Sequence, residues 1–374
     1  MTQSTPAPVR FGVIGSGWRA EFFVRMARLM PERFTCTGVV TRTAERGAEV
    51  EARWGVPTVR TVEELVTGAV PGAGPAPDRP ELVVTATPWP VTPEVVRELV
   101  EASVPVLAET PPAPDVDGLR SLWSDVGASG LVQVAEHSPF MPAHQARQRL
   151  VDDGLIGTPT SVQVSSTHLY HAVGLARRLL GAGRGATTVH ARAFTAPLVD
   201  PISRHGWTDA TEPAPARTLL ATIDLGDGRH VLYDFTDNQW HNPLRSNRIV
   251  VRGSLGEVVG DDVTRWLDPR TVLTSRIARR QSGIEQDLDG FDLEHLSLEG
   301  RVLYRNPFTG ARLADDDVAV AHLLDLTGAW VRGDAPPPYP LADGIQDHLL
   351  GLAMEESART GEPVTTDAEA WADA

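Results

Sequence analysis

Gly15-Ser16-Gly17-Trp18-Arg19-Ala20 is the first stretch of the chain whose residue types and spacing suit a chemical task. It has the form G-x-G-x-x-A and lies between an apolar run, VRFGVIG at 9–15, and a helical pattern, WRAEFFVRMARLM at 18–30. At a strand-to-helix turn the first glycine makes the tight bend and the second lets backbone approach a pyrophosphate. The small final residue lets helix and strand pack closely. The helix start adds N–H donors and a dipole that favours phosphate. A dinucleotide cradle is therefore predicted at Gly15, Ser16, Gly17, Trp18 and Arg19, against the bland alternative of a glycine turn with no ligand. About 20 residues further on, an acidic residue would hold ribose hydroxyls. The second apolar run instead ends Val40-Thr41-Arg42-Thr43. A hydroxyl and a guanidinium suit a 2′-phosphate, so Thr41 and Arg42 point to NADP, with NAD as the alternative cofactor.

Histidine exchanges protons near neutrality, which makes His171 the first acid/base candidate. The alternative is a histidine that caps the helix after it. Tyr170 and His168 flank it; on a strand these two would share one face. Glu109 and His137 end apolar runs at 105–109 and 131–137, and ligands of parallel sheets bind beyond such strand ends. The segment 237–245 is dense in polar and aromatic groups. Trp240, His241 and Arg245 are substrate-pocket candidates there, Arg245 for an anionic group. A surface loop is the competing reading. His168 and His171 have an H-x-x-H spacing, but no acid ligands lie nearby, and no metal is expected. Asp315, Asp316 and Asp317 read as a solvated helix start.

Elements that could position these residues alternate along the first 137 positions. Apolar runs at 9–15, 34–40, 81–87, 105–109 and 131–137 are separated by helical patterns. Thr43 and Thr61 are expected caps, the latter in a capping box with Glu64. Thr92-Pro93-Glu94 is a helix start. Such alternation means parallel βαβ units with helices on both faces. PGAGPAPDRP at 71–80 reads as a surface loop. The second half differs: SVQVSSTHLY at 161–170 alternates like a strand exposed on one face, and several more strands follow. Gly226-Asp227-Gly228 is a hairpin turn, and a final helix is expected near 343–359. The fold class is α/β: a Rossmann domain over 1–137, then an α+β domain over 138–374 with a large, mostly antiparallel sheet.

Bulk composition agrees. The chain has 374 residues, 49 acidic and 34 basic, for a net charge of −15. That excess argues against nucleic-acid binding or a basic membrane patch. Every basic residue is arginine. The lone Cys36 excludes an internal disulfide and reads as an inert buried thiol. No signal peptide or membrane span is apparent, so a cytoplasmic protein is expected.

The chain resembles the glucose–fructose oxidoreductase/inositol dehydrogenase (Gfo/Idh/MocA) family over nearly its whole length. The resemblance rests on the first strand and loop, TATP at 85–88, PVLAETPPA at 105–113, GLIG at 154–157 and EESARTGEPV at 355–364. It implies cofactor contacts at Thr87, Pro88 and Glu109. It also implies a homodimer or homotetramer formed through the outer face of the C-terminal sheet. Typical activities are hydride transfers on sugars, polyols and related carbonyls. Thr110 stands where the family carries a lysine, and Gly174 where it carries an aspartate after the histidine matched by His171. Three readings follow. The first is an NAD(P)H-dependent oxidoreductase of a small carbonyl, hydroxyl or imine, with Glu109 and Thr110 positioning the reacting groups and His171 or Tyr170 moving the proton. The others are a redox-neutral lyase, hydrolase or isomerase that keeps its cofactor tightly, and a silent binding protein.

Overall fold

The computed structural model describes residues 7–68, 79–283 and 290–374; most of the loop expected at 71–80 lies outside them. The chain forms two compact units. The first comprises Met1–Met141 and Pro307–Ile345, the second Pro142–Asn306 and Gln346–Ala374.

The first unit holds β1 (Val9–Ile14), α1 (Trp18–Leu29), β2 (Phe34–Val40), α2 (Ala44–Trp54), β3 (Thr58–Val59) and α3 (Val62–Thr67). It continues through β4 (Leu82–Thr85), α4 (Thr92–Glu101), β5 (Val106–Ala108), α5 (Val116–Val126) and β6 (Val132–Val134). The strands form one parallel sheet in the order β3-β2-β1-β4-β5-β6. Their near-continuous apolar sequence is what a sheet covered on both faces requires; Phe11, Val13, Leu82, Val83 and Leu107 are fully buried. The order reverses between β1 and β4, the switch point where the carboxyl ends of strands leave a crevice.

The predicted caps form. Thr43 accepts from the Arg46 N–H, and Gly55 ends α2 in the left-handed region at φ 70°. Thr61 and Glu64 make the capping box of α3. The helix start read at Thr92-Pro93-Glu94 also forms: α4 begins at Thr92, with Val91 as its cap residue, and the Thr92 hydroxyl bonds back to Thr87. Cys36 is buried, and burial pushes its thiol up to about 12.

The second unit begins with α6 (Pro142–Asp152), β7 (Pro159–Ser165), α7 (Leu169–Leu180), β8 (Thr187–Leu198), β9 (Ile202–Ser203), β10 (Gly206–Trp207), β11 (Ala214–Asp224), β12 (His230–Thr236) and β13 (Arg248–Gly253). Then come β14 (Gly256–Val259), β15 (Asp262–Asp268), β16 (Thr271–Arg276), β17 (Ala278–Ser282), β18 (Asp292–Leu298) and β19 (Arg301–Arg305). After α8 (Asp315–Val331), which belongs to the first unit, α9 (Leu341–Thr360) and β20 (Val364–Thr366) close the chain. A nine-stranded sheet runs β16-β15-β14-β13-β7-β12-β11-β8-β20. Its pairs are antiparallel except β7 with β12. Leu219, Ala221 and Ile223 of β11 and Val231, Tyr233 and Phe235 of β12 are buried on one face, while Leu220 and Leu232 are exposed on the other. Such alternation marks a sheet with one covered face. The turn at 226–228 joins β11 to β12, pairing Asp224 with His230.

One expected element needs correction. SVQVSSTHLY is not strand throughout. β7 stops at Ser165, and α7 begins at Leu169 with His168 as its N-cap residue. The apolar–polar alternation of Val162 and Val164 with their neighbours ends at Ser165, and so does the pairing with β13.

Candidate functional site

The glycine loop closes β1 and opens α1. Gly15 sits at φ +111°, and a Cβ there would lie 2.3 Å from the Ala86 carbonyl oxygen. Only glycine meets both conditions. Gly17 is different: its φ of −80° and ψ of −178° suit any residue, and a Cβ would meet no heavy atom within 4 Å. Among the described residues nothing requires glycine at 17. As the cap residue of α1 it offers the first helical N–H groups no side-chain acceptor of its own; α4, α7 and α8 also lack a side-chain cap, whereas α2, α3 and α5 are capped by Thr43, Thr61 and Asp115. An open, uncapped helix start of this kind accommodates an anion. Ser16 lies within the turn. Trp18 is exposed and packs edge-on against Phe22 at 4.8 Å. Thr87 bonds to Thr92, and Pro88 is exposed on the same loop.

Arginines gather where β2 ends. Thr41 is buried and bonded to the Arg60 guanidinium, which also donates to Thr58 Oγ1 at 2.8 Å. Arg42 is exposed. Arg46 reaches from α2 to Ser16, its Nε 3.0 Å from Oγ and its Nη2 2.5 Å from the carbonyl oxygen. Arg46 and Arg60 were missed in the sequence. Arg46 sits one turn into α2, so the position of the Thr43 cap was the available signal.

Arg19 lies behind the loop. Its Nε donates to Glu109 Oε1 at 2.6 Å, and its Nη2 is 3.0 Å from His137 Nδ1. His137 Nε2 is 2.8 Å from Asp316 Oδ1. Arginine only donates, so Nδ1 accepts, and Nε2 carries the proton that goes to Asp316. Both ring nitrogens of this predicted rim residue are thus engaged. Glu109 Oε2 accepts the Thr110 N–H at 3.2 Å. Burial alone would lower the Arg19 pKa, but the Glu109, Asp316 and Glu136 carboxylates outweigh it and the net shift is upward.

Asp315–Asp317 was expected to be solvated, and Asp317 is not. It is buried, and both its oxygens accept from Arg25 Nη1, at 2.6 and 2.7 Å. Helix α8 packs on α1, which turns this aspartate inward. Nothing in the sequence marks a segment near 316 as a neighbour of residue 137.

In the second unit, His168, Tyr170 and His171 come together at the start of α7. Ring centroids are 5.1 Å apart for His168–Tyr170, 4.9 Å for His168–His171 and 4.4 Å for Tyr170–His171. Trp240 lies edge-on to His168 at 4.8 Å and is 44% exposed. Tyr233 anchors the group, its hydroxyl accepting the Leu169 N–H at 3.1 Å, where Leu169 sits at φ 38°. Burial raises the Tyr233 pKa.

The segment 237–245 does not act as one wall. Trp240 turns toward His168 and Phe235, whereas Arg245 lines a cavity of about 260 Å³ with Phe194, Thr218, Asp234, Leu244 and Arg248. By strand register, Thr218 and Asp234 lie on the face opposite Leu219 and Phe235. His241 is exposed beside Trp240. Among the described residues, no group of three or more His, Cys, Asp or Glu is placed to hold a metal ion. No described helix is long and apolar enough to cross a membrane.

Residues 9–136 match a family model described as an oxidoreductase family with an NAD-binding Rossmann fold. No curated protein matches the chain. Solved structures share its fold. A levoglucosan dehydrogenase, solved with NADH and levoglucosan, is 18% identical with a TM-score of 0.65, covering 96% of this chain and 99% of its own. An NAD-binding oxidoreductase from Klebsiella pneumoniae is 16% identical at TM-score 0.67, covering 97% and 100%. A myo-inositol dehydrogenase from Corynebacterium glutamicum is 16% identical at 0.64, also covering 97% and 100%.

Proposed function

We propose that the protein is an NADP(H)-dependent oxidoreductase of a small carbonyl, hydroxyl or imine substrate, with residues 9–136, which match the Gfo/Idh/MocA family model, as its cofactor domain. The observation that carries the reading is Gly17: a glycine with no steric or backbone reason of its own, at the uncapped start of α1. A diphosphate against those N–H groups supplies the reason. The bound nicotinamide supplies or accepts hydride.

The chain's own groups do the rest. Gly15, Ser16 and Gly17 hold the diphosphate. Arg42 and Arg46 meet a 2′-phosphate, and no carboxylate at the end of β2 opposes it. Thr87, Pro88 and Glu109 orient the nicotinamide end, with Thr110 offering a hydroxyl near the reacting atoms. His171 moves the proton, with Tyr170 beside it and His168 held against Trp240. The half-exposed Trp240 offers a flat surface for a ring substrate, and relatives of this fold named for levoglucosan and myo-inositol favour a sugar-like one. Phe194, Leu220, Leu232 and Leu244 leave an apolar outer face on the large sheet, which we assign to self-association into a dimer or tetramer.

Titration with NADPH and with NADH, read by quenching of tryptophan fluorescence, tests the cofactor. NADPH is expected to bind more tightly. Arg42→Ala should weaken NADPH by about tenfold, the lower end for one charge-assisted hydrogen bond, and leave NADH unchanged. Failure to bind either coenzyme overturns the reading.

A further inference from the structure

A lysine-free chain must find any fixed charge for its chemistry among arginines, and one guanidinium is built into the crevice rather than onto the surface. Arg19 belongs to the glycine loop, but its side chain runs to the end of β5, where Glu109 holds Nε and His137 holds Nη2. Three elements besides its own brace it: Glu109 follows β5, His137 follows β6, and Asp316 of α8 backs His137. The rings of Phe22 and Phe23 flank it at 5.0 and 5.8 Å. Its side chain keeps one-fifth of its exposure. Guanidinium has five N–H donors. Two are spent on Glu109 and His137, and among the described residues the other three have no protein acceptor. The neighbouring Thr110 carries no charge.

We propose that Arg19 is the charge-stabilising residue of this site, donating its remaining N–H groups to the reacting oxygen of a carbonyl or hydroxyl substrate. This rests on the cofactor reading above. Arginine keeps its proton at any working pH. Arg19 therefore meets negative charge gathering on that oxygen without protonating it, and proton delivery falls to another group. Glu109 and His137 are positioning residues: they fix the fork in advance, so no reorganisation accompanies the charge.

The test needs no substrate. Cyanide adds its electron pair to C4 of bound NADP⁺, and the ring loses its positive charge. A nearby fixed cation favours that loss, so the adduct constant, read by absorbance at saturating NADP⁺, reports the local potential. Arg19→Met should lower the constant about tenfold, and Arg19→Lys should hold it within about threefold of wild type, keeping charge without the fork. Glu109→Gln, which keeps Arg19 and removes its counter-charge, should raise the constant. That opposite sign keeps the proposal testable even where Arg19→Met does not fold. NADPH affinity is measured on each variant. Unchanged adduct constants with intact NADPH binding overturn the role of Arg19 alone. A parallel loss of NADPH affinity in Arg19→Met also overturns it, by making Arg19 a diphosphate ligand. Wild-type protein that binds no coenzyme overturns the cofactor reading first.

Discussion

Gly15→Ala and Gly17→Val should separate what the fold needs from what a ligand needs. At 15 an added methyl meets the Ala86 carbonyl at 2.3 Å with φ at +111°. Backbone strain and overpacking together should cost about 2–5 kcal/mol. At 17 the added side chain enters open space on an extended backbone, and the only penalty is a poorer cap, about 1 kcal/mol or less. Coenzyme binding should show the reverse order of sensitivity. A valine at 17 occupies the space a diphosphate would use. Losing one charge-assisted bond to a backbone N–H removes about 1.5–3 kcal/mol, roughly 10- to 100-fold in Kd. Thermal melts of the apo protein and NADPH titrations of the same samples supply both readings. A Gly17→Val protein that melts like wild type and binds NADPH with wild-type affinity would refute the assignment of this loop as a cradle.

Three further outcomes follow from the packing. Arg177 and Asp347 form a buried pair at 2.5 Å in the second unit, so Arg177→Met should cost about 3–5 kcal/mol in urea unfolding by stranding a carboxylate. Adding Asp347→Leu should recover much of that loss. Phe194→Arg combined with Leu220→Arg puts charge on the exposed apolar face of the sheet, and light scattering should report monomers if that face self-associates. A fragment ending at residue 141 should lack a cooperative melt, because it loses the partners of Arg25, Arg33 and Glu81 supplied by Asp317, Asp325 and Arg332. Joining residues 307–345 to that fragment should restore the melt.

The first unit was largely legible because its signals are local. A strand that ends in glycine, a threonine three residues before a helical N–H, and a capping box are each written within a few positions, and all formed. The glycine turn between β1 and α1 follows from the same logic, since a strand that ends in glycine and a helical pattern adjoin there. Alternation was the weaker guide. It ends with the pairing at Ser165, so it gives no support to a strand carried on to Tyr170. It also offered no way to see that Trp240 and Arg245, five positions apart, serve opposite faces of a sheet. Residue type identified His137 as a rim group but not what would take up its two nitrogens.

Asp316 shows why that last step lay beyond a one-dimensional reading. It stands 179 positions from His137, on a helix whose exposure gives few clues: Val318 through Ala321, Leu323 and Leu324 are all buried. A helix covered nearly all round has no polar stripe from which to infer its neighbour. Gly328 sets the approach instead, since a Cβ there would meet the Val9 side chain at 2.5 Å. Close contact at that end of α8 goes with aspartates at its other end. One of them neutralises Arg25, and the other fixes the tautomer of His137. The tautomer in turn makes Nδ1 the acceptor for Arg19, whose orientation depends on it. The orientation of the glycine-loop guanidinium is therefore set from a helix that chain order places after most of the second unit. A substitution at 316 should alter the glycine-loop arginine before it alters the glycine loop.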